Sequence, residues 1–467
     1  MAGSRLYRVA LLLLGLLPSL AVGANQALIL EEAVRMAYDH NPNLLAARTQ
    51  LEAVSRETGL AIANFLPRLD LEQTYVSTNQ QVAAFGTTLN QGAITQADFD
   101  PRLLNDPDRA TDHGTSVILS QPIFNGGREI LGYKMARRAQ AQAAAGTSAA
   151  VEGILYQTVK AYTDAVLARE AELVSTDALR TGERNLDMIQ RLFAEGMIIK
   201  SDLLQAQVHV AELRERLASA RNGYRLALVA LNTMLGDPGG GKHPAEGFSG
   251  GSCPAVELET LIGWALEDRS ELRALEQQEA MAWLSRRLAQ AGFLPNLNAR
   301  ASYDYHGQGL LADGTDSYTI ALSLRWNLFN GTADHKREQQ AAMQLDAVRT
   351  MRRAREDMIA LEVTEAWSNL QTAEERLGTM REAVDQAAEG LRILEQRYEQ
   401  GAAGIVDLLN AEMGLAGARL RRLQAEHDLL LGNAALCKSV GHLATRWLAP
   451  ENCPVPPMSM EKEDDHE

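Results

Sequence analysis

The 467-residue chain contains one unit twice, and this repetition restricts its fold more than any other feature of the sequence. The tripeptide Phe-Leu-Pro at 65–67 recurs 228 positions later at 293–295, and Phe-Asn-Gly at 124–126 recurs 205 positions later at 329–331. The first copy therefore carries 23 extra residues between these two landmarks. Because internal repeats of this kind are structural units that pack against one another, we expect two copies of one arrangement side by side.

Both copies show the same order of local signals. Each begins with a helical stretch, continues with a β-hairpin and a very long helix, and ends with a shorter helix. The sequence predicts repeat 1 at 25–236, with its hairpin at about 66–124. It predicts repeat 2 at 258–441, with its hairpin at about 296–329. The Gly/Pro-rich stretch 237–257 is the predicted linker between them.

The hairpin strands alternate apolar and polar residues, most clearly at 297–305 and 318–328. Strands of 9–11 residues with one apolar face are typical of a transmembrane barrel, although a soluble antiparallel sheet with one wet face has the same pattern. Eleven of the 24 aromatic residues lie in 65–126 and 293–330, as interfacial girdles would place them. On one side, the strand connections are predicted to be long polar loops, including the Asp-rich stretch 98–112. Both observations favour the barrel.

The long helices carry a coiled-coil pattern. Apolar residues of repeat 2 follow an unbroken 4-3 spacing: Ile359, Val363, Ala366, Leu370, Ala373, Leu377, Met380, Val384, Ala387, Leu391, Leu394 and Tyr398. This period of 3.5 residues specifies a left-handed supercoil. A helix of about 65 residues is roughly 100 Å long, and the two shorter helices of a copy, stacked end to end, match that length. Four strands are too few to close a barrel, so the chain must pool its strands in an oligomer.

The N-terminus is typical of an exported protein. Arg5 and Arg8 precede a short apolar run, and small residues lie before position 25, so residues 1–24 are predicted to be a signal peptide. The formal charge is −15, and loss of the two leader arginines makes it −17, which argues against nucleic-acid binding. Residues 442–467 form a C-terminal segment with an acidic tail. In an oxidising compartment Cys253 and Cys453 can pair, and the alternative is two free thiols.

The sequence shows no catalytic or metal-binding motif, so we expect neither an enzyme nor a cofactor or metal site. The informative polar residues flank the turn between the long helix and the next one. Asp202 and Asp407 occupy matching positions just after turn glycines Gly196 and Gly401. One interpretation is helix capping, and the other is a ring of carboxylates that narrows a pore in an oligomer. The two interpretations are compatible.

Several features together resemble the TolC-type outer membrane efflux proteins. These are the duplicated unit, Phe-Leu-Pro before each first strand, Phe-Asn-Gly after each second strand, and the Arg-Tyr-x-x-Gly and Ile-Val-Asp-Leu-Leu segments at 397–401 and 405–409. The resemblance covers nearly all of 25–445. It implies an α+β membrane protein: a long α-helical coiled-coil barrel continuous with a transmembrane β-barrel, with four strands per protomer and 12 in a homotrimer. The linker and the C-terminal segment would form an equatorial belt.

The resemblance also implies site residues. Asp202 and Tyr398 stand where family members form links that hold the tunnel entrance closed, and Asp407 stands where an aspartate ring constricts it. The residues at the adaptor-docking helix tips would be Gly196, Met197, Gly401 and Ala402.

Four positions depart from the family pattern. Ala403 replaces a link-forming arginine, and Asn410 replaces a second ring aspartate, so the gate is expected to carry fewer charges. Glu195 and Gln400 stand where an apolar residue is common, which leaves the identity of the adaptor open.

The function implied by the resemblance is an outer membrane channel-tunnel of a tripartite efflux or type I secretion system in a Gram-negative bacterium. It would extend from outer-membrane lipid into the periplasm and meet a periplasmic adaptor (membrane fusion) protein and an inner-membrane pump of the RND, ABC or MFS type. The alternatives are a stand-alone passive porin and a structural coiled-coil stalk or adhesin. The sequence does not name the cargo.

Overall fold

A computed structural model describes residues 27–245, 247–248, 256–310 and 312–448. Cys253 and Cys453, the predicted signal peptide and the acidic tail lie outside the described residues. The helices are α1 Leu30–His40, α2 Pro42–Ala63, α3 Gln81–Asn90, α4 Pro101–Asn105, α5 Arg128–Ala194, α6 Lys200–Met234, α7 Leu258–Asp268, α8 Ser270–Gln290, α9 Ala333–Glu399, α10 Ile405–Val440 and α11 Leu443–Trp447. The strands are β1 Arg68–Thr78, β2 Ala110–Asn125, β3 Asn296–Gly309 and β4 Ala312–Arg325.

The two repeats have matching helices. The long helices α5 and α9 each contain 67 residues, which gives each a length of roughly 100 Å. Helices α2 and α6 both pack along α5, and α8 and α10 both pack along α9. Helices α8 and α10 also contact α5, so the two repeats share a helical interface. The helical section is therefore built from two long helices, each accompanied by a pair of shorter ones.

The four strands form one antiparallel sheet in the order β1-β2-β3-β4, with β2 of the first repeat paired to β3 of the second. The register aligns apolar residues across all four strands: Leu71, Val117, Tyr303 and Tyr318 are successive partners. The side chains of this row are exposed, Leu71 to 75% and Tyr318 to 77%. One face of the sheet is thus apolar and uncovered within the protomer.

Three expectations about the strands and their connections were wrong. The segment between β1 and β2 contains α3, α4 and a short 3-10 helix at Gln96–Phe99, rather than a simple polar loop. Strand β2 begins at Ala110, so Asp112 is a buried strand residue paired with His306 rather than a solvated loop residue. Strand β4 ends at Arg325, three residues before the predicted end, because Arg325 pairs with Asn296, the first residue of β3; the indole Nε1 of the next residue, Trp326, donates to the carbonyl oxygen of Phe293 at 3.0 Å.

The main apolar core lies midway along the long helices. It joins α1, α5, α7, α9, α10 and α11 through fully buried side chains such as Leu155, Tyr162 and Ile359. The hydroxyl of Tyr162 donates to the carbonyl oxygen of Leu28 at 2.9 Å, which fixes the start of repeat 1 against α5. Cys437 is also buried in this core. A second, smaller apolar cluster lies at the far ends of α5, α6, α9 and α10.

In the described parts of the chain, no helix is both long enough and apolar enough to cross a membrane.

Candidate functional site

The candidate site lies where the long helices turn back, at the end of the helical section farthest from the strands. In repeat 1 the chain passes from α5 to α6, and in repeat 2 it passes from α9 to α10. We call these two connections the helix tips, residues 195–199 and 400–404. The same apolar cluster supports both tips and includes Ile189, Tyr398 and Leu408.

The two helix tips use the same backbone geometry. The amide of Met197 donates to the carbonyl of Leu192 at 2.9 Å, and the amide of Ala402 donates to the carbonyl of Arg397 at 2.8 Å. Both bonds close a Schellman motif, which requires a left-handed residue just past the helix end. Gly196 and Gly401 supply it, with φ of 76° and 71°. An L-residue in this conformation costs about 1–2 kcal/mol, so the sequence reading of these glycines as turn residues has a direct physical reason.

The predicted docking residues are open to solvent. Gly196, Gly401 and Ala402 are exposed, and the side chain of Met197 is 64% exposed. Apart from the adjacent residues, no atom of the described protomer lies within 4 Å of where a Cβ would stand on either glycine. The tips therefore present backbone and small side chains to whatever approaches them.

Asp407 and Asp202 are each the third residue of their helix. The carboxylate of Asp407 accepts a hydrogen bond from the amide of Gly404 at 3.4 Å, and Asp202 lies beside the hydroxyl of Ser201 at 3.4 Å. A negative charge in the first helical turn is stabilised by the helix dipole. Asp407 and Asn410 are nevertheless exposed. Asp202 and Asp407 are thus placed to stabilise the starts of their helices, and the Asp407 carboxylate remains accessible to solvent.

Tyr398 lies at the end of α9 and is 6% exposed. Burial, and next the negative charge of Asp202, raise the pKa of its phenol. Its hydroxyl has no hydrogen-bond partner within the described part of the protomer. The structure therefore brings Tyr398 and Asp202 near each other, but not into a direct hydrogen bond.

The residues that depart from the family pattern have structural positions of their own. Glu195 and Gln400 cap the C-termini of α5 and α9 and are exposed, whereas Ala403 is half-buried against the tip cluster. The guanidinium of Arg397, in the last turn of α9, donates to the carbonyl of Ala402 at 3.2 Å and so holds the second tip.

Sequence reasoning missed a buried polar group above the tips. Glu412 and His209 have side chains that are each only 6% exposed, and their Oε2 and Nε2 atoms lie 3.0 Å apart. Asn185 donates from Nδ2 to the other oxygen of Glu412. A signal was available, because Glu412 continues the 3-4-3 spacing of the buried residues Ile405, Leu408 and Leu415. It is a charged residue at a core position.

In the part of the chain that the structure describes, no group of three or more His, Cys, Asp or Glu side chains is arranged to hold a metal ion.

Comparisons with known proteins agree with this architecture. A family model described as outer membrane efflux protein matches residues 33–237 and 261–442, which is most of both repeats. Protein CyaE of Bordetella pertussis is 24% identical over 424 residues, covering 89% of this chain and 84% of the relative. Outer membrane protein TolC of Vibrio cholerae is 22% identical over 447 residues, covering 92% of this chain and 96% of the relative.

A solved structure shares the fold. The outer membrane protein VceC from Vibrio cholerae superposes with a TM-score of 0.73 at 18% sequence identity, covering 88% of this chain and 96% of that one. Because the superposition covers most of both chains, the two molecules have the same overall fold.

Proposed function

The chain belongs to the outer membrane efflux protein family, and we propose that three copies of it form a duct that carries substrates from the periplasm across the outer membrane. Members of this family are transport channels rather than enzymes, and they reside in the outer membrane. The role of the chain is that of the outer-membrane channel in an efflux or type I secretion system. The number of copies, the gate and the docking surface are parts of the proposal.

The observation that carries the proposal is an open apolar sheet continuous with 67-residue helices. Strands β1 and β4 each have one unpaired edge in the protomer, and the outward row of Leu71, Val117, Tyr303 and Tyr318 is uncovered. Edges and apolar faces of this kind are stabilised by closure into a barrel within lipid. Pairing β4 of one copy with β1 of the next closes three copies into a 12-stranded barrel.

The helical section supports a tunnel below that barrel. Helices α5 and α9 are each roughly 100 Å long and lead directly from the strands to the helix tips. A stand-alone porin does not need helices of this length, whereas a duct that has to reach a partner through the periplasm needs them.

The gate is assigned to the narrow end at the helix tips. Asp407 would form a carboxylate ring in the trimer, with Asn410 one turn above it as an uncharged second ring. Tyr398 and Asp202 would contribute to holding the tips together. Because Ala403 and Asn410 carry no charge, this gate relies on fewer ionic contacts than a gate with charged residues at both positions.

The partner at the tips is proposed to be a periplasmic adaptor (membrane fusion) protein, coupled to an inner-membrane pump of the RND, ABC or MFS type. The exposed Met197 and Ala402 and the open surface over Gly196 and Gly401 would be the contact points. Lipid would contact only the apolar face of the sheet.

Cysteine crosslinking in intact cells tests the docking surface. Met197→Cys should crosslink to the adaptor encoded nearest this gene. This variant keeps both tip glycines, because a cysteine in their place would have to adopt a strained positive φ. Met343→Cys is the matched control, because Met343 is 73% exposed but lies 56 residues before the end of α9, roughly 80 Å from the tip. Crosslinking at 197 and not at 343 supports docking. A protein that conducts ions but crosslinks at neither position is a stand-alone porin.

A further inference from the structure

The two hairpins of the protomer pair their strands in the same register. The offset between β1 and β3 is 228 residues, so Arg68 corresponds to Asn296. The offset between β2 and β4 is 205 residues, so Ser120 corresponds to Arg325. Arg68 pairs with Ser120 in the first hairpin, and Asn296 pairs with Arg325 in the second. The duplication therefore holds residue by residue in the sheet, and a pairing in one repeat predicts its counterpart in the other.

The junction between the repeats then predicts the junction between copies. Strand β2 of the first repeat pairs with β3 of the second, and Ser120 lies opposite Arg300. The counterpart of this junction joins β4 to β1 of the next copy. There the position of Ser120 is taken by Arg325, and the position of Arg300 is taken by Glu72. We propose that β4 and β1 of the next copy pair in this register, with an ion pair between Arg325 and Glu72 of that copy. The inference rests on the proposed closure of the sheet by further copies.

The two charged side chains suit this register. Glu72 and Arg325 lie on the polar face of the sheet, both are exposed, and within the described part of the protomer neither makes an ion pair. Opposite charges directly across an antiparallel pair are favourable, and a slip of one residue would put the two side chains on different faces. A slip of two residues would bring Arg325 opposite uncharged Thr74, or opposite Asp70, which already pairs with Arg68 at 2.9 Å.

The stretch that follows β4 supports the same register. Residues 121–125 of β2 pair with β3 alone, beyond the last residue of β1. Their counterparts, residues 326–330, pair with no described strand of the protomer. Trp326 and Phe329 in this stretch are 59% and 80% exposed. In the proposed register Trp326 lies opposite Leu71 of the next copy, so pairing with that copy would cover apolar residues that the protomer leaves open.

The recurring Phe-Asn-Gly turn adds a contact below the strands. Gly126 ends the first of these turns with φ of 66°, and a Cβ there would lie 2.8 Å from the carbonyl oxygen of Ala291 in the other repeat. Gly331 ends the second turn with φ of 69°, but apart from the adjacent residues no atom of the described protomer lies within 4 Å of its Cβ position. The counterpart of Ala291 is Ala63. Gly331 is therefore expected against Ala63 of the next copy.

Disulfide formation in the purified full-length protein tests the register. Thr74→Cys/Ser323→Cys places two cysteines directly opposite each other across the proposed junction, and oxidation with copper phenanthroline should link most copies covalently on denaturing gels. Val76→Cys/Ser323→Cys is the matched control. It keeps the same face but sets the Cα atoms about 7–8 Å apart, beyond the reach of a disulfide, and should give at least about fivefold less linked protein. The single variants show what the native cysteines contribute.

An exchange of charges tests the ion pair. Glu72→Arg puts like charges at every junction, so the fraction of protein that stays oligomeric in dilute SDS should fall by about three- to tenfold. Glu72→Arg/Arg325→Glu restores opposite charges and should return this fraction to within about twofold of wild type. Asp108→Arg is the matched control, since Asp108 is exposed in the connection before β2, and it should leave the fraction unchanged.

The outcomes separate the register from the proposed function. Linking of the Val76 variant at a yield equal to or above that of the Thr74 variant would overturn the register while leaving an oligomeric channel intact. A double charge variant no more oligomeric than Glu72→Arg would overturn the ion pair in the same way. A wild-type protein that light scattering shows to be a single copy would overturn the proposed closure and the register together.

Discussion

The pH dependence of Glu152 offers a test of how the C-terminal segment packs against α5. Glu152 lies on α5, half-buried beneath the C-terminal segment, and accepts hydrogen bonds from the amides of Leu443 at 3.1 Å and Ala444 at 3.0 Å. Burial raises its pKa from 4.5 to about 7, even though the two amides and the charges of His442 and Lys438 act in the opposite direction. The protonated carboxyl is therefore favoured when α11 is docked.

The sign and size of the effect follow from this shift. Because the pKa is raised in the folded state, the stability contribution is fully present below pH 4.5 and is lost as the pH rises through about 7. At 1.36 kcal/mol for each pH unit, a rise from 4.5 to about 7 corresponds to a loss of up to about 3 kcal/mol of docking free energy at alkaline pH. Over the whole range, that is a change of up to roughly 300-fold in the docking equilibrium.

Hydrogen exchange measures the docking directly. Protection factors of the Leu443 and Ala444 amides, corrected for the intrinsic exchange rate at each pH, should fall by up to about 100-fold between pH 5 and pH 8. In Glu152→Gln, which cannot titrate, the same protection factors should be independent of pH over this range. Flat protection in the wild type, or a parallel decline in the variant, would refute the assignment of the pH dependence to Glu152.

Three further predictions follow from other parts of the molecule. Burial lowers the pKa of His427, but the hydrogen bonds and charges of Asp164 and Asp428 outweigh it, so the pKa is raised above 6.5. The stability that His427 adds is therefore complete below pH 6.5 and declines as the pH rises further. In thermal unfolding, His427→Gln should lower the stability by about 1–3 kcal/mol at pH 6 and by less at pH 9. Gly401→Ala should lower stability by about 1–2 kcal/mol because φ is 71° there, whereas Gly378→Ala in the middle of α9 should be neutral or stabilising in the same melt. Asp407→Ala should raise single-channel conductance and weaken block by divalent cations, measured in planar bilayers.

Each of these has a contrary result. If His427→Gln lowered the stability equally at both pH values, the ion pair with Asp164 would not be the reason for the loss. If Gly401→Ala and Gly378→Ala changed stability equally, the left-handed turn would not be the reason for a glycine at the tip. If Asp385→Ala, an exposed aspartate on α9, altered divalent block as much as Asp407→Ala did, the effect would be one of general surface charge rather than of a ring at the tip.

Much of the architecture was predictable because it depends on local patterns. The 4-3 spacing of Ile359, Val363 and Leu370 predicts the buried stripe that α9 has, and the alternation around Tyr318 and Ile320 predicts the apolar face of β4. The end of β4 was predicted wrongly, because alternation continues in the sequence beyond the last residue that finds a strand partner. The length of a strand depends on the adjacent strand with which it pairs as well as on its own alternation of apolar and polar residues.

The candidate site was predictable only in part. The turn glycines could be identified, because Gly196 and Gly401 have backbone angles that few other residues adopt. The contact between His209 and Glu412 could not, since it joins residues 203 positions apart and depends on how the two repeats pack. The pairing of Asp112 with His306 was not predicted for the same reason, since His306 lies 194 positions away on another hairpin.

The most direct test of the central claim is planar-bilayer recording of the purified full-length wild-type protein. If three copies close a barrel over a helical tunnel that narrows at the Asp407 carboxylates, the recordings should show discrete conductance steps of one unit size. These steps should select for cations and be reduced by divalent cations added on the side of the helix tips. A protein that binds the bilayer but gives no discrete steps would contradict the account.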